Sequence, residues 1–370
     1  MVPYRSIPAS VIHSPEHRQL SLQVARESIV LLSNQNNFLP LDRSQINSIA
    51  TIGPMANHFE PGNYFGTPAN PVNPLQGVRN RLPAGVQVLY AKGCEINAAC
   101  NPADLAEAIS TARQSEVVIL YLGTNNQVEA EGRDRIQLGL PGGQEQLLEA
   151  VSQANPRTAV VLMNGGPLSV RWARDNVAAI LEAYYAGEEG GNAIADVLFG
   201  DVNPGAKLPY TVYESASQLP PQTEYDISRG FTYMYFQGQP VFPFGHGLSY
   251  TGFEYGRLHL HPRQVPTTGQ VSVRIQVRNV GPRAGSEVVQ LYAHQEATNV
   301  PVPIKKLVGF KKIDLQPGER RTVRFDLSAE QLAIYDEALH EFAVEPGAFQ
   351  LMVGSSSEDI RASARLVVSP

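Results

Sequence analysis

Cysteine and tryptophan are the scarce residues, with two of the first and one of the second in 370 positions. Cys94 and Cys100 lie in a polar Asn/Ala segment with no histidine beside them, which makes a poor zinc site. A local disulfide between them is the favoured reading and would suggest an oxidising compartment; two reduced thiols in a loop is the alternative. No apolar run approaches the length needed to span a membrane. The opening Met1-Val2-Pro3-Tyr4-Arg5-Ser6 is not followed by the apolar core of a signal peptide, and no Asn-X-Ser/Thr sequon occurs. Net charge is -6 with no basic stripe, which argues against nucleic acid as a partner. Neither a G-x-G-x-x-G fingerprint, a P-loop nor a G-x-S-x-G elbow is found. The eight histidines are scattered without metal-ligand spacing, so no metal or cofactor is expected. His246 reads as a packed histidine in a turn, and Trp172 as core packing.

What is present is an ordered alternation. The length implies two or three domains, and 43% hydrophobic residues are ample for buried cores. Ser14-Pro15 opens a helix over 15–29, with Leu20, Leu22, Val24 and Ile29 on its apolar face. Short apolar runs follow at 29–32, 49–54, 86–90, 117–122, 158–163 and 178–184, each reading as a strand. Helical stretches at 74–82, 102–115, 144–154 and 192–199 fall between them. Strand-helix alternation with continuously apolar strands predicts an α/β sandwich on a mostly parallel sheet. From about residue 256 the period becomes two, at 271–277, 287–292, 321–327 and 349–353, with turns at Asn279-Val280-Gly281-Pro282 and Gln316-Pro317-Gly318-Glu319. That pattern predicts an all-β sandwich. The expected boundaries are 21–215 for the first domain, 216–255 for a Pro/Gly/aromatic connection and 256–370 for the second.

The central strand 117–122 runs into Glu129-Ala130-Glu131-Gly132-Arg133-Asp134-Arg135, five charges in seven positions of a chain only 17% charged. In an open α/β sheet, ligands bind at the carboxyl ends of strands. A carboxylic acid in such a loop suits general acid catalysis on an acetal, since burial and arginine move its acidity in opposite directions. The plainer reading is a solvated, self-paired cluster, with Asp134 and Arg135 a structural pair. Gly165-Gly166 and Gly190-Gly191 follow strands. They read as turn glycines, or as sites where backbone N–H groups face a ligand.

The order of motifs resembles the C-terminal portion of glycoside hydrolase family 3, the β-glucosidases and β-xylosidases. The landmarks begin with Ala25-Arg26-Glu27-Ser28-Ile29-Val30-Leu31-Leu32 and Ile52-Gly53-Pro54-Met55-Ala56-Asn57. The Glu-x-Glu-Gly-x-Asp-Arg loop with Leu140-Pro141-Gly142 comes next, then Asn203-Pro204-Gly205-Ala206-Lys207-Leu208-Pro209 and 242–250. Glu287-Val288-Val289-Gln290-Leu291-Tyr292 and Lys306-Leu307-Val308-Gly309-Phe310 close the series. The resemblance implies an α/β sandwich followed by a fibronectin type III-like domain, acting on β-linked oligosaccharides or glycosides. It implies a general acid/base on Glu131, with Glu129 as second choice, and a loop shaped by Arg133, Asp134 and Arg135. Residues 1–20 correspond to a linker after a (β/α)8 barrel that carries the nucleophile. That barrel is expected on another chain. A secreted or periplasmic location is suggested by the family and by a disulfide. A non-catalytic carbohydrate-binding protein and an inactive fragment are the alternatives.

Overall fold

Ser14, Asn73 and Asn101 each stand before a proline, and each starts a helix in the computed structural model, which describes residues 3–298, 301–336 and 340–370. The cap side chain accepts a hydrogen bond from a first-turn N–H, and proline at N1 gives up a donor that had no partner there. These helices are α1 (Pro15–Ser28), α2 (Pro74–Arg81) and α3 (Pro102–Arg113). They are followed by α4 (Gln144–Ala154), α5 (Arg171–Asn176) and α6 (Gly190–Leu198). Six strands lie among them: β1 (Val30–Asn34), β2 (Ser48–Ile52), β3 (Gln87–Ala91), β4 (Val117–Gly123), β5 (Thr158–Met163) and β6 (Ala179–Glu182). The short α5 has no counterpart in the sequence reading, because its six residues carry too little periodicity to register.

The six strands form one sheet in the order β1-β6-β5-β4-β2-β3, parallel except for β1 against β6. Every residue of β4, β5 and β6 is buried, which is why these strands read as unbroken apolar runs. The chain steps outward from β2 to β3, then back across to β4, β5 and β6. Right-handed crossovers therefore send α2 to one face and α3 and α4 to the other. The packing agrees: α1 and α2 lie on α6, and α3 lies on α4. The α/β sandwich is thus present. The direction reverses between β2 and β4, so the crevice for a ligand is at their carboxyl ends.

One buried charge ties α1, α2 and α6 together. Asp196 of α6 is 1% exposed. Arg26 of α1 reaches it at 2.6 Å, and Arg81 at the end of α2 also binds it. A carboxylate this deep is tolerable only with such partners.

The chain divides into two compact units, the first ending at Pro204 and the second beginning at Gly205. The second is all-β in its core. Its strands are β7 (Phe253–Tyr255), β8 (His259–His261), β9 (Gln264–Pro266), β10 (Gln270–Asn279), β11 (Gly285–Gln295) and β12 (Lys306–Leu315). They continue as β13 (Arg320–Ser328), β14 (Ile334–Asp336), β15 (Glu341–Ala343), β16 (Gly347–Gly354) and β17 (Ile360–Ser369). One sheet runs β13-β10-β7 with β8 also on β10, and the other runs β12-β11-β16-β17-β9. Their inner faces share a core that includes Val273, Ile275, Leu291, Phe325, Leu351 and Leu366. Residues 205–250 join this unit: Lys207 pairs with buried Glu287 at 3.1 Å, and Tyr233 stacks on Phe244 with ring centroids 4.1 Å apart. His246 stacks on Phe242 in its turn, as read from the sequence.

Removing the Asp196 carboxylate takes from the partly buried Arg26 and Arg81 the acceptor they share. Asp196→Ala is expected to cost roughly 2–4 kcal/mol of stability. Urea melts of parent and variant measure it, and a change below about 0.5 kcal/mol, the range of ordinary surface substitutions, would show that the arginines find water instead.

Candidate active site

Beyond Gly123, the last residue of β4, the chain enters the charged loop, and the loop is folded around Glu129. Glu129 Oε1 accepts hydrogen bonds from the Thr124 hydroxyl, from the N–H groups of Gly165 at 2.7 Å and Gly166 at 3.1 Å, and from the Tyr185 hydroxyl at 3.2 Å. Its Oε2 meets Arg135 Nε at 2.7 Å. These donors come from the ends of β4, β5 and β6, so one carboxylate joins three strand ends. Burial pushes Glu129 up. The Thr124 hydroxyl, the Arg135 charge and the two glycine N–H groups outweigh it and hold the group below the ordinary carboxylate value. Burial pushes the Tyr185 phenol up, which keeps it a donor to this carboxylate.

Two residues on, Glu131 is treated differently. Ala130 and Arg133 exchange backbone hydrogen bonds at 2.9 and 3.2 Å, closing a two-residue turn around Glu131 and Gly132. Gly132 has φ +72°, and Glu131 is not among the residues of positive φ, the pattern of a type II turn. Glycine is needed at that second position, and the consequence is that Glu131 stands exposed at the tip. Arg133 donates to the carbonyls of Asn126 at 2.9 Å and Gln127 at 3.2 Å, bracing the turn from behind. Arg135 binds Glu129 and the Pro167 carbonyl, the latter at 2.7 Å, so it ties the loop to the end of β5. Asp134 is exposed on the same loop. Beside the loop is an open cleft of about 380 Å³, lined by Glu129, Arg133, Asp134, Arg135, Tyr185 and Asn63 among others.

Behind Glu129 sits a second carboxylate that sequence reading missed. Glu182, at the end of β6, is 2% exposed. It accepts from the Tyr184 N–H at 3.1 Å and from Asn164 Nδ2 at 3.2 Å. Burial pushes it up to about 8, and the nearby Glu129 charge adds to that rise. A glutamate inside the apolar run 178–184 was the visible signal. Thr124, Asn164 and Tyr185 gave none, being ordinary loop residues until the strands are aligned. Gly165-Gly166 does present backbone N–H groups to an anion, but the anion is the protein's own Glu129. Trp172 is half-buried in α5 and does not line the cleft.

The far end of the loop is pinned by Gln144, fully buried at the start of α4. Its side chain accepts from Gly123 N–H at 2.8 Å and donates to the carbonyls of Gly123 and Ile96, both at 2.7 Å. Gly143 lies so near Cys100 that a Cβ there would meet its backbone nitrogen at 2.6 Å. The expected Cys94–Cys100 disulfide is not formed: both are free thiols. Cys100 Sγ is directed at the Gly143 carbonyl at 3.1 Å, and burial pushes the Cys94 thiol up, away from the reactive thiolate. Among the described residues no cluster of His, Cys, Asp and Glu suits a metal ion, and no helix is long and apolar enough to cross a membrane.

A mostly parallel α/β unit with its cleft at the strand ends, followed by a β-sandwich, defines the class, and sequence comparison gives the family. Residues 29–250 match the glycosyl hydrolase family 3 C-terminal domain, and residues 287–357 match the fibronectin type III-like domain. The chain belongs to glycoside hydrolase family 3. It is 40% identical to a beta-xylosidase of Formosa agariphila over 93% of this chain and 49% of that protein. It is 36% identical to thermostable beta-glucosidase B of Acetivibrio thermocellus over 93% of this chain and 47% of that protein. A solved β-glucosidase from Erythrobacter marinus superposes with a TM-score of 0.88 at 36% identity, covering 97% of this chain and 51% of that one. The chain therefore spans about half the length of the relatives it matches.

The two coupled carboxylates give a pH signature. Unfolded, Glu182 loses its proton near the ordinary 4.5; folded, it keeps it to about 8. Stability is therefore greatest below the unfolded value and declines as pH rises toward the folded one. Glu182→Gln, neutral throughout, is expected to flatten the fall in melting temperature between about pH 5 and 8. An unchanged slope in the variant would mean that ionising Glu182 costs nothing.

Proposed function

We propose that this chain supplies the general acid/base of a retaining, exo-acting β-glycosidase that removes terminal β-linked glucose or xylose, and that Glu131 is that residue. The carrying observation is the division between two carboxylates. Glu129 has its oxygens occupied by five donors and is held ionised, so it is a poor proton donor and serves to fix the loop. Glu131 is displayed at the tip of the turn that Glu129 anchors. The names of the relatives, xylosidase and glucosidase, supply the substrate class.

The nucleophile is an Asp of a (β/α)8 barrel outside these 370 residues. It attacks the anomeric carbon while Glu131 gives its proton to the leaving oxygen, and the glycosidic C–O bond breaks. Water then attacks the glycosyl-enzyme as Glu131 takes its proton back, releasing the sugar with retained configuration and freeing the Asp. The two carboxyl groups must come within about 5.5 Å of each other. Tyr64 and Ile136, 87% and 88% exposed on loops flanking the cleft, support a covering domain at this edge.

The test is hydrolysis of nitrophenyl β-glucoside and β-xyloside by the chain alone and mixed with a separately expressed family 3 barrel domain. Activity is expected in the mixture. There, Glu131→Ala should slow poor-leaving-group substrates by about 10²–10⁴, with azide restoring the deglycosylation step. The same pattern in Glu129→Ala but not in Glu131→Ala would overturn the assignment. Sugar binding without turnover in either tube would replace the catalytic reading with a binding role.

A further inference from the structure

Residues 205–370 carry sixteen Lys and Arg against sixteen Asp and Glu, yet one face of the smaller sheet in this unit is strongly basic. The outward positions of β10 include Arg274 and Arg278, alternating with buried Val273, Ile275 and Val277. Arg274 stands opposite Arg324 of β13 on one side and His259 of β8 on the other. Arg278 stands opposite Arg320 of β13 and Glu254 of β7. Arg257 lies between β7 and β8, and with His259, His261 and Arg274 it lines an open hollow of about 590 Å³. Of the two acids in these rows, Asp326 is already engaged by Arg324 at 2.7 Å.

Like charges directly opposite on neighbouring strands destabilise a sheet. Here two such arginine pairs occur on one face, Arg274 with Arg324 and Arg278 with Arg320, with Gln276 opposite Thr322 in the row between them. Neighbouring strands are about 4.8 Å apart and a strand rises about 3.3 Å per residue, so the two arginines of a pair lie side by side and the two pairs stand roughly 13 Å apart along the face; each guanidinium is a planar fork that fits a carboxylate with two hydrogen bonds. The outward positions of β8, β10 and β13 hold only Ser, Thr, Gln, Asp, His and Arg. That face offers no apolar wedge for a bilayer and no Phe, Tyr or Trp platform for nucleic-acid bases.

We infer that this face of the β-sandwich binds an acidic polysaccharide through the carboxylates of its uronic-acid residues. Such binding holds the chain on a charged polymer while its loop acts elsewhere. The choice of a carbohydrate among polyanions rests on the glycosidase reading; the basic array itself does not.

The experiment is affinity electrophoresis of the whole chain through gels containing polygalacturonate, with neutral xylan as control. Retardation is expected in polygalacturonate at low salt, falling away by about 0.5 M NaCl as the charges are screened, and none in xylan. Arg274→Gln with Arg324→Gln, which removes the opposed like charges, should weaken it roughly tenfold or more without lowering the melting temperature. Should that double variant fold poorly, Arg257→Ser with Arg320→Ser supplies the comparison, with a smaller loss expected. No retardation at low salt, unchanged retardation in the variants, or tighter binding of duplex DNA or phosphatidylglycerol vesicles than of polygalacturonate would overturn the inference. No polygalacturonate binding by the parent chain, with nitrophenyl glycoside hydrolysis in the barrel mixture present, removes this inference alone; the reverse result removes the catalytic reading alone.

Discussion

The first unit depends on one carboxylate. Glu129 lies where three strands end, and its five donors arise from residues far apart in sequence: Thr124, Arg135, Gly165, Gly166 and Tyr185. The anion gives these donors one common acceptor at the strand ends, and leaving the part-buried ones unpaired would be costly. The anion satisfies them together. In doing so it draws the loop after β4 down onto the ends of β5 and β6. Glu182 beneath it shows the other side of the same constraint. Two ionised carboxylates this close would repel, and the structure gives the donors to Glu129 and the proton to Glu182.

Much of the α/β fold was readable because parallel strands buried on both faces leave continuous apolar runs. Val117 to Leu122 and Thr158 to Met163 are such runs, and α4 matches its expected span residue for residue. The β-sandwich was read less completely. Strands β10 and β13 bury one face and expose the other, so period two survives in their sequences. Lys306–Leu315 is half-buried along its first part and exposed in the middle, which erases the alternation, and β12 was known only as a motif of the family. The three-residue strands β7, β8 and β9 are too short to carry any period.

At the candidate site, the charged loop after the central strand was legible and its wiring was not. Five charges after an apolar strand marked the loop, and the family resemblance ranked Glu131 above Glu129. Neither revealed that Gly165-Gly166, forty residues away at most, faces the loop's own glutamate; only the pairing of β4 with β5 brings them together. The disulfide reading failed on the bond itself. Spacing brought Cys94 and Cys100 together, and the fold does place the two thiols side by side, but unbonded, with Cys100 also directed at the Gly143 carbonyl. The absence of a basic stripe in the sequence likewise said little about the second unit. Its arginines are scattered along β10 and β13 and become neighbours only through cross-strand register.

Glu129 and Glu131 are separated by one alanine, yet the backbone gives them opposite environments. Ala130 and Arg133 close the turn, so the chain reverses at Glu131-Gly132 and Glu131 stands at the tip. The Glu131 carboxylate therefore stands exposed, apart from the donors that hold Glu129. In the role proposed for Glu131, the bracing at Glu129 and Arg133 would matter as much as the exposure, because a proton donor has to be held at one place relative to a leaving oxygen. The Glu-x-Glu-Gly spacing is the shortest that permits this arrangement: an anchor, one residue to leave it, the displayed acid, and the glycine that turns the chain back.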